Sequence, residues 1–307
     1  MDDLFEQHVV YPDPDARDRL NRLIGLDEHK ARLGKILSLL VNPGGMARWA
    51  TEHHPNAVGL LEGVLRRPPL VVLSGDVGAG KTELASTIGD AVARLEDIDV
   101  TLFPLSLATR GQGRVGEMTQ LLAAAFDYTV EQAARLKTTS GKARGAVLLL
   151  VDEADAIAQS RENAQMHHED RAGVNAFIRG IDRIGDARLP AAVIMCTNRL
   201  SALDPAIKRR AADILTFRRP GEDQRRAVLG RLLTGLKFGK DDIQKLVNAT
   251  GILTDRPYGF TFSDITQRLI PAIVLDAYPT EPVRPSRALE IAHTLVPTPP
   301  FNDGLLP

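Results

Sequence analysis

Short apolar runs alternate along this chain with segments whose apolar residues recur at helical spacing. Four such runs are LVVLSG from Leu70, VTLFPLSL from Val100, AVLLLVDE from Ala146 and AAVIMCTN from Ala191. Runs with almost no polar position are typical of strands that are buried on both faces. The helical segments between them are 82–94, 117–126 and 174–184. We therefore predict an α/β fold, a parallel sheet with helices on both faces.

The same pattern divides the chain into four segments. Residues 1–19 are polar and contain two prolines, which predicts a flexible N-terminal arm. Residues 20–220 hold all the apolar runs and form the predicted α/β domain. Residues 221–278 show only helical patterns and predict a small all-α lid domain. From 279 to 307, seven of 29 residues are proline, so we expect an extended C-terminal tail there.

Composition excludes several classes of protein. Hydrophobic residues make up 44% and charged residues 25% of the 307, which is ordinary for a globular protein and argues against wholesale disorder. The net charge of −1 and the aromatic content of 5% argue against a nucleic-acid partner. No apolar run approaches the ~20 residues of a membrane helix, so we expect no membrane association. The single cysteine, Cys196, precludes an internal disulfide and favours a cytoplasmic location.

A phosphate-binding motif follows the first apolar run. It consists of Gly75, Asp76, Val77, Gly78, Ala79, Gly80, Lys81 and Thr82. This is the P-loop pattern, placed between a predicted strand and a predicted helix, where backbone N–H groups converge on an anion. Lys81 would reach the β- and γ-phosphates, and the Thr82 hydroxyl would bind Mg²⁺. We therefore expect ATP and Mg²⁺ as ligands.

Two carboxylates end the run that begins at Ala146. Asp152 is positioned to bind Mg²⁺, and Glu153 to polarise an attacking water as a general base. A small-molecule kinase, an alternative among P-loop proteins, has little use for the second acid. Lys81 and Asp152 are 71 residues apart, which leaves room for an extra strand and helix between them. The spacing and the acid pair together favour a hydrolytic ATPase.

Polar residues also follow the run that begins at Ala191. Asn198 would lie beside the acid pair, where its amide could orient the water and sense the γ-phosphate. The segment after it carries three consecutive cations, including Arg209 and Arg210. Either arginine could reach the nucleotide of a neighbouring subunit as an arginine finger, and the sequence leaves the choice open.

Taken together, these motifs resemble those of AAA+ ATPases over roughly residues 20–278. The resemblance adds Leu23-Ile24-Gly25 as the linker motif and Pro220 with Arg225 at the start of the lid. It implies a homo-hexameric ring with ATP bound between subunits and adenine near Ile24 and Gly25.

The resemblance also assigns two less regular sites. The loop after the second strand would face a central pore through Arg114, Val115 and Gly116, where many relatives carry an aromatic residue. In the lid, Ser263 occupies the place where many members have a phosphate-sensing arginine, and Arg268 is a weak substitute.

The compact module, the RRAADI segment after Lys208 and the YGFTFSDITQRLIPAIV lid from Tyr258 are similar to remodellers of HORMA-domain proteins. That resemblance implies a HORMA-domain protein as partner and, in bacteria, disassembly of its complex with a cGAS-like nucleotidyltransferase in antiphage signalling. The alternative is a nucleotide-gated loader or initiator that acts on nucleic acid. A steep salt dependence of DNA binding would favour that alternative.

Overall fold

The structure is a computed structural model of the chain. It describes residues 4–5, 8–57, 59, 63–64, 66–107, 117–138, 142–156, 168–254 and 256–301. None of the helices in these parts of the chain is long and apolar enough to cross a lipid bilayer.

These described ranges contain six strands and twelve α-helices, numbered in chain order. The strands are β1 (Val9–Tyr11), β2 (Leu70–Gly75), β3 (Asp99–Ser106), β4 (Gly145–Asp152), β5 (Ala191–Thr197) and β6 (Ala211–Phe217). The helices are α1 (Pro14–Arg22), α2 (Asp27–Val41), α3 (Pro43–His53), α4 (Lys81–Ala85), α5 (Ile88–Glu96), α6 (Glu117–Leu136), α7 (His168–Asp186), α8 (Pro205–Lys208), α9 (Glu222–Leu232), α10 (Lys240–Ala249), α11 (Ile270–Ala277) and α12 (Pro285–Thr294). A 3₁₀ turn (Ala154–Ala156) follows β4, and a π-helical segment (Asp264–Leu269) leads into α11.

The six strands form one sheet in the order β1-β3-β4-β5-β2-β6. The pairs β3–β4, β4–β5 and β5–β2 are parallel, which confirms the predicted sheet. Leu149 of β4 and Val193 of β5 belong to a core cluster that also contains Phe126 of α6 and Phe177 of α7. The alternate strand residues Val71, Leu73, Leu148 and Ile194 have 0% exposure. Both faces of the sheet are therefore covered, as their apolar composition predicts.

The N-terminal segment differs from the flexible arm that we expected. Residues 9–11 form β1, which pairs antiparallel with β3, and α1 follows. Tyr11 is fully buried, and its hydroxyl donates to the Ser86 carbonyl at 2.5 Å. The ring lies over Gly89, where a Cβ atom would come within 2.3 Å of it, so the glycine is required for this contact. Tyr11, together with Phe5, which stacks on Phe103 of β3, thus anchors the N-terminal segment to the sheet unit.

The edge strand β6 was not predicted. Its sequence, AADILTF, is only partly buried and carries a charged residue in its centre. That residue, Asp213, accepts hydrogen bonds from Arg32 of α2 at 2.5 and 2.8 Å. The arginine neutralises the carboxylate, so a charged residue is tolerated within the strand. An edge strand with a paired charge does not show the continuous apolar pattern from which the four strands β2 to β5 were predicted.

Contacts divide the chain into two compact units that do not follow the predicted boundary at residue 220. The sheet unit comprises Met1–Arg22, Glu28–Ser74 and Thr82–Thr216; the helical unit comprises Leu23–Asp27, Gly75–Lys81 and Phe217–Pro307. P-loop residues Gly75–Lys81 therefore belong to the same compact unit as the predicted lid, whereas Thr82 belongs to the sheet unit.

The helical unit extends beyond residue 278, where we expected an extended tail to begin. Pro285–Thr294 form α12, whose Ala288 and Ala292 are buried in the core of this unit. Pro285 stands at the start of the helix, where a missing backbone N–H costs nothing. The prolines that predicted an extended segment thus flank and begin a helix.

Candidate active site

The carboxyl ends of β2, β4 and β5 lie side by side in the sheet unit. Ser74 of β2 is in register with Thr197 of β5, and Val151 of β4 is in register with Met195 of β5. The acid pair follows Val151, and Asn198 follows Thr197. These side chains therefore lie together at the carboxyl end of the sheet. Ligands in open parallel sheets bind at this end.

Three glycines shape the P-loop within the helical unit. Gly75, Gly78 and Gly80 have φ angles of 143°, 72° and 93°, which favour glycine. A Cβ atom at Gly75 would lie 2.0 Å from the Phe217 carbonyl oxygen. The Gly78 carbonyl also accepts a hydrogen bond from the Ser263 backbone N–H at 3.1 Å. The loop is therefore held in its curved form by both backbone conformation and close packing.

The Lys81 ammonium lies inside this curve. Its Nζ donates to the carbonyl oxygens of Gly75 and Asp76, each at 2.8 Å, and only 7% of the residue is exposed. These two carbonyl oxygens hold the Lys81 ammonium in the loop, where its positive charge would attract a bound anion. The residues of the P-loop thus fit a bound phosphate group.

The Asp76 carboxylate makes contacts that the sequence did not indicate. It accepts from Arg219 Nε at 2.6 Å and from the Phe301 backbone N–H at 3.2 Å. The same Arg219 donates to the Gly259 carbonyl at 2.7 Å and lies over the Tyr258 ring. The second residue of the P-loop is therefore bound directly to two segments of the helical unit and, through Arg219, is linked to a third.

The predicted adenine site, Ile24 and Gly25, also lies in the helical unit. Gly25 has a φ of 78°, and its carbonyl accepts from Gln224 Nε2 of α9 at 2.6 Å. Ile24 packs against the core of the unit. The linker motif and the P-loop, 50 residues apart in sequence, thus meet in one compact unit.

Asp152, Glu153 and Thr82 belong to the sheet unit. The Asp152 carboxylate accepts the Glu153 backbone N–H at 2.8 Å. Glu153 is exposed and has a φ of 52°, a left-handed conformation that costs about 1–2 kcal/mol for a residue with a Cβ atom. Strain of this kind clusters at functional sites. Thr82 is exposed in the first turn of α4.

Asn198 is held by a carboxylate that sequence reasoning missed. Asp155 Oδ2 accepts from Asn198 Nδ2 at 3.0 Å, and Asp155 Oδ1 accepts from the Asn198 backbone N–H at 2.9 Å. The Thr197 hydroxyl donates to the same Oδ1 at 2.6 Å. No spacing rule connects two residues that are 43 positions apart and follow different strands, so only the fold reveals the pair.

The two candidate finger arginines differ in their surroundings. Arg210 makes a two-point ion pair with Asp182 of α7, at 2.7 and 3.0 Å, and the hydrogen bond to Asp182 raises the pKa of Arg210. Arg209 is exposed. Both follow α8, whose N-cap Asp204 accepts from the Ala206 backbone N–H at 2.7 Å.

Comparison with known proteins decides the family. A relative from Escherichia coli strain MS 115-1, named CD-NTase-associated protein 6, is 66% identical over 303 residues, which cover 99% of this chain and 97% of the relative. Residues 71–219 match the family described as "ATPase family associated with various cellular activities (AAA)". This chain belongs to the AAA ATPase family.

Solved structures of family members agree with this assignment. A structure described as the E. coli MS115-1 HORMA:CdnC:Trip13 complex matches with a TM-score of 0.90 and 64% identity, covering 98% of each chain. A structure of Rhizobiales Trip13 matches with a TM-score of 0.76 and 56% identity, covering 96% of this chain and all of that one. The AAA fold, the nucleotide-binding function and the identification of the chain as an ATPase are thereby confirmed.

In this AAA ATPase, Arg268, the predicted substitute for the phosphate-sensing arginine of the lid, forms an ion pair within the helical unit. Arg268 donates to Asp264 Oδ1 at 2.8 Å, and Ser263 Oγ donates to Gln267 at 2.9 Å. Burial alone would raise the pKa of Asp264, but hydrogen bonds from Thr261, Thr298 and Arg268 outweigh it and hold that pKa below its ordinary value. Arg268 therefore balances a buried charge within the helical unit.

The predicted pore residues Arg114, Val115 and Gly116 lie outside the residues that the structure describes. Within the described residues, no group of three or more His, Cys, Asp and Glu side chains is arranged to hold a metal ion.

Proposed function

We propose that this AAA ATPase remodels a HORMA-domain protein and disassembles its complex with a CD-NTase-type nucleotidyltransferase in bacterial antiphage signalling. The observation that carries the proposal is the similarity, over 98% of each chain, to a chain in a structure described as a HORMA:CdnC:Trip13 complex. The name of the relative from strain MS 115-1, CD-NTase-associated protein 6, agrees with it.

ATP hydrolysis would drive the remodelling. In this proposal the P-loop amides and Lys81 bind the phosphates, and Thr82 and Asp152 hold Mg²⁺, which neutralises phosphate charge when bound. Glu153 accepts a proton from the attacking water while Asn198 orients that water. Water oxygen bonds to the γ-phosphorus as the bond to the β-phosphate oxygen breaks, which releases ADP and phosphate. The exposed Glu153 carboxylate at the tip of β4 supports its role.

We favour Arg209 over Arg210 as the residue that acts on a neighbouring subunit's nucleotide. The bidentate pair with Asp182 occupies the Nε and Nη2 edge of the Arg210 guanidinium within its own subunit, and Nη1 donates to the Ala206 carbonyl at 3.3 Å. Breaking that pair would leave Asp182 without its partner. Arg209 is exposed at the end of α8, and this exposure supports its availability to a second copy of the chain.

A finger that acts between subunits requires a ring, and we propose a homo-hexamer. The substrate chain would pass Arg114, Val115 and Gly116 at the pore. An arginine there would bind backbone carbonyls or acidic side chains through its N–H donors. We place the ring in the cytoplasm, as the single buried cysteine favours.

Capture of the substrate tests this function. The Glu153→Gln variant should retain a purified HORMA-domain protein and its nucleotidyltransferase partner on an affinity column in the presence of ATP. The Lys81→Ala variant, which cannot hold ATP, is the control and should retain neither. Retention of double-stranded DNA in place of these proteins would contradict the proposal. It would favour the alternative function, a nucleotide-gated loader or initiator that acts on nucleic acid.

A further inference from the structure

Asp155 occupies the 3₁₀ turn that follows Glu153 and contacts the end of the neighbouring strand. Its two oxygens accept three hydrogen bonds, from the Thr197 hydroxyl, the Asn198 backbone N–H and Asn198 Nδ2. The Thr197 oxygen in turn accepts the Arg199 backbone N–H at 3.1 Å. One carboxylate therefore organises the whole turn that leaves β5.

The chemistry of this contact fixes the orientation of the Asn198 amide. An ionised carboxylate only accepts hydrogen bonds, so the amide nitrogen must face Asp155 and the amide oxygen must face away. Because backbone and side chain of Asn198 both bind Asp155, rotation of the amide would break one of the two bonds. The Asn198 amide oxygen therefore lies on the side away from Asp155, and its orientation is set by that carboxylate.

The same carboxylate steadies the residues around Glu153. The left-handed φ of Glu153 stores strain that the turn would release if it were free to relax. Two contacts oppose this relaxation: the bond from the Glu153 N–H to Asp152, and the bonds that attach Asp155 to β5. The end of β4 and the end of β5 are consequently joined by one side chain.

We propose that Asp155 is a positioning residue for ATP hydrolysis, which fixes the amide of Asn198 and the turn of Glu153 relative to each other. This inference rests on the roles proposed above for those two residues. Asp155 itself contacts no phosphate and transfers no proton. Misplacement of a catalytic group by about 1 Å can lower a rate by about 10²-fold, so the bond network has a measurable consequence.

Steady-state ATPase kinetics test the proposal. Asp155→Ala should lower kcat by about 10- to 100-fold and change KM for ATP by less than about 3-fold, because the P-loop residues keep their contacts. Asp127→Ala, which removes an exposed carboxylate paired with Arg183 in the same unit, is the matched control and should keep the wild-type kcat.

A second variant separates positioning from structural support. Asp155→Asn preserves the size of the side chain and one acceptor oxygen, but it places an NH₂ group against Asn198 Nδ2. We expect it to lose nearly as much kcat as Asp155→Ala while its melting temperature stays near that of the wild type. A wild-type kcat in Asp155→Asn would overturn the proposal.

A double-mutant cycle identifies the residue through which Asp155 acts. The kcat loss caused by Asp155→Ala should be several-fold smaller in the Asn198→Ala background, because the amide that it positions is gone. Full additivity would overturn the inference. If Glu153→Gln and Asn198→Ala abolish hydrolysis but the Asp155 variants do not, only this inference fails; if none of them lowers kcat, the proposed site fails as well.

Discussion

At the residue scale, Glu153 combines an exposed carboxylate with a backbone angle that a non-glycine residue adopts at a cost. The preceding apolar strand could be predicted from sequence, and so could the acid at its tip. The strained angle could not, because it depends on the Asp152 contact and on the attachment of the next turn to β5. Local sequence therefore identifies the group, and tertiary contacts determine its geometry.

Replacement of Glu153 by Gln should abolish hydrolysis while preserving ATP binding. The amide keeps the shape of the side chain but cannot accept a proton from water, so we expect kcat to fall by about 10²–10⁴-fold. Phosphate release and binding of a fluorescent ATP analogue would measure the two properties. Glu131→Gln, on the exposed face of α6, is the control; unchanged turnover in Glu153→Gln would exclude Glu153 as the base.

At the element scale, buried charges attach the segments of the helical unit to one another. Asp264 has 0% exposure and accepts hydrogen bonds from Arg268 and from both the backbone and the hydroxyl of Thr298. Thr298 lies in the segment after α12, so the carboxylate fixes the C-terminal residues onto the π-helical segment. The apolar spacing of the lid helices was predictable, whereas this contact joins residues 34 positions apart.

The lowered pKa of Asp264 predicts a specific loss of stability in acid. A carboxyl group whose pKa is lower in the folded state stabilises the fold fully above its unfolded pKa of about 3.9, and this contribution disappears as the pH falls through the folded pKa. Asp264→Asn should therefore melt at a lower temperature than the wild type near neutral pH.

Melting temperatures measured against pH would check this expectation. The curves for Asp264→Asn and the wild type should converge below about pH 4. Asp276→Asn, which removes a partly exposed partner of Arg287, is the control and should have a smaller effect at neutral pH. Parallel curves for Asp264→Asn and the wild type would contradict the assigned role.

The strands and helices also show where sequence patterns are sufficient. Four strands were recognised because they are apolar throughout, which follows from burial on both faces of the sheet. The three-residue β1 and the charged edge strand β6 lack that pattern. Helix α12 was not predicted because its segment is rich in proline, although the helix accommodates Pro285 at its first position. Short elements and elements with compensated charges thus require tertiary information.

At the scale of the whole molecule, the compact units cut across the predicted domains. The P-loop belongs to the helical unit through Asp76, Gly78 and their partners, whereas the acid pair belongs to the sheet unit. The hydrophobic pattern predicted an α/β domain and a helical lid, but it could not assign P-loop residues Gly75–Lys81 to the unit that contains the lid. The family assignment adds the proposed ring, in which a complete site needs a second copy of the chain.

Mixing two inactive variants tests the shared site. Arg209→Ala subunits should regain activity when mixed with Lys81→Ala subunits, because each supplies the group that the other lacks. In a random equimolar ring about a quarter of the head-to-tail interfaces would be complete. Arg210→Ala mixed with Lys81→Ala provides the comparison. Recovery in the Arg210→Ala mixture alone would assign the finger to Arg210, and no recovery in either would contradict a shared site.

The pore assignment has its own test. Arg114→Ala should hydrolyse ATP at a rate close to the wild type but should lose most of its ability to remodel substrate, since the side chain would contact the substrate and not the nucleotide. Arg110→Ala, four residues earlier in the sequence, is the control. Full remodelling by Arg114→Ala would contradict the role of this residue at the pore.

Dissociation of a preformed complex tests the central claim most directly. A fluorescently labelled HORMA-domain protein bound to its nucleotidyltransferase would be mixed with the ATPase, and the loss of energy transfer followed over time. We predict rapid dissociation with the wild-type chain and ATP, and none with Glu153→Gln or without ATP. Dissociation at the same rate with Glu153→Gln, or a complex unaffected by the active wild-type ATPase, would contradict ATP-driven remodelling.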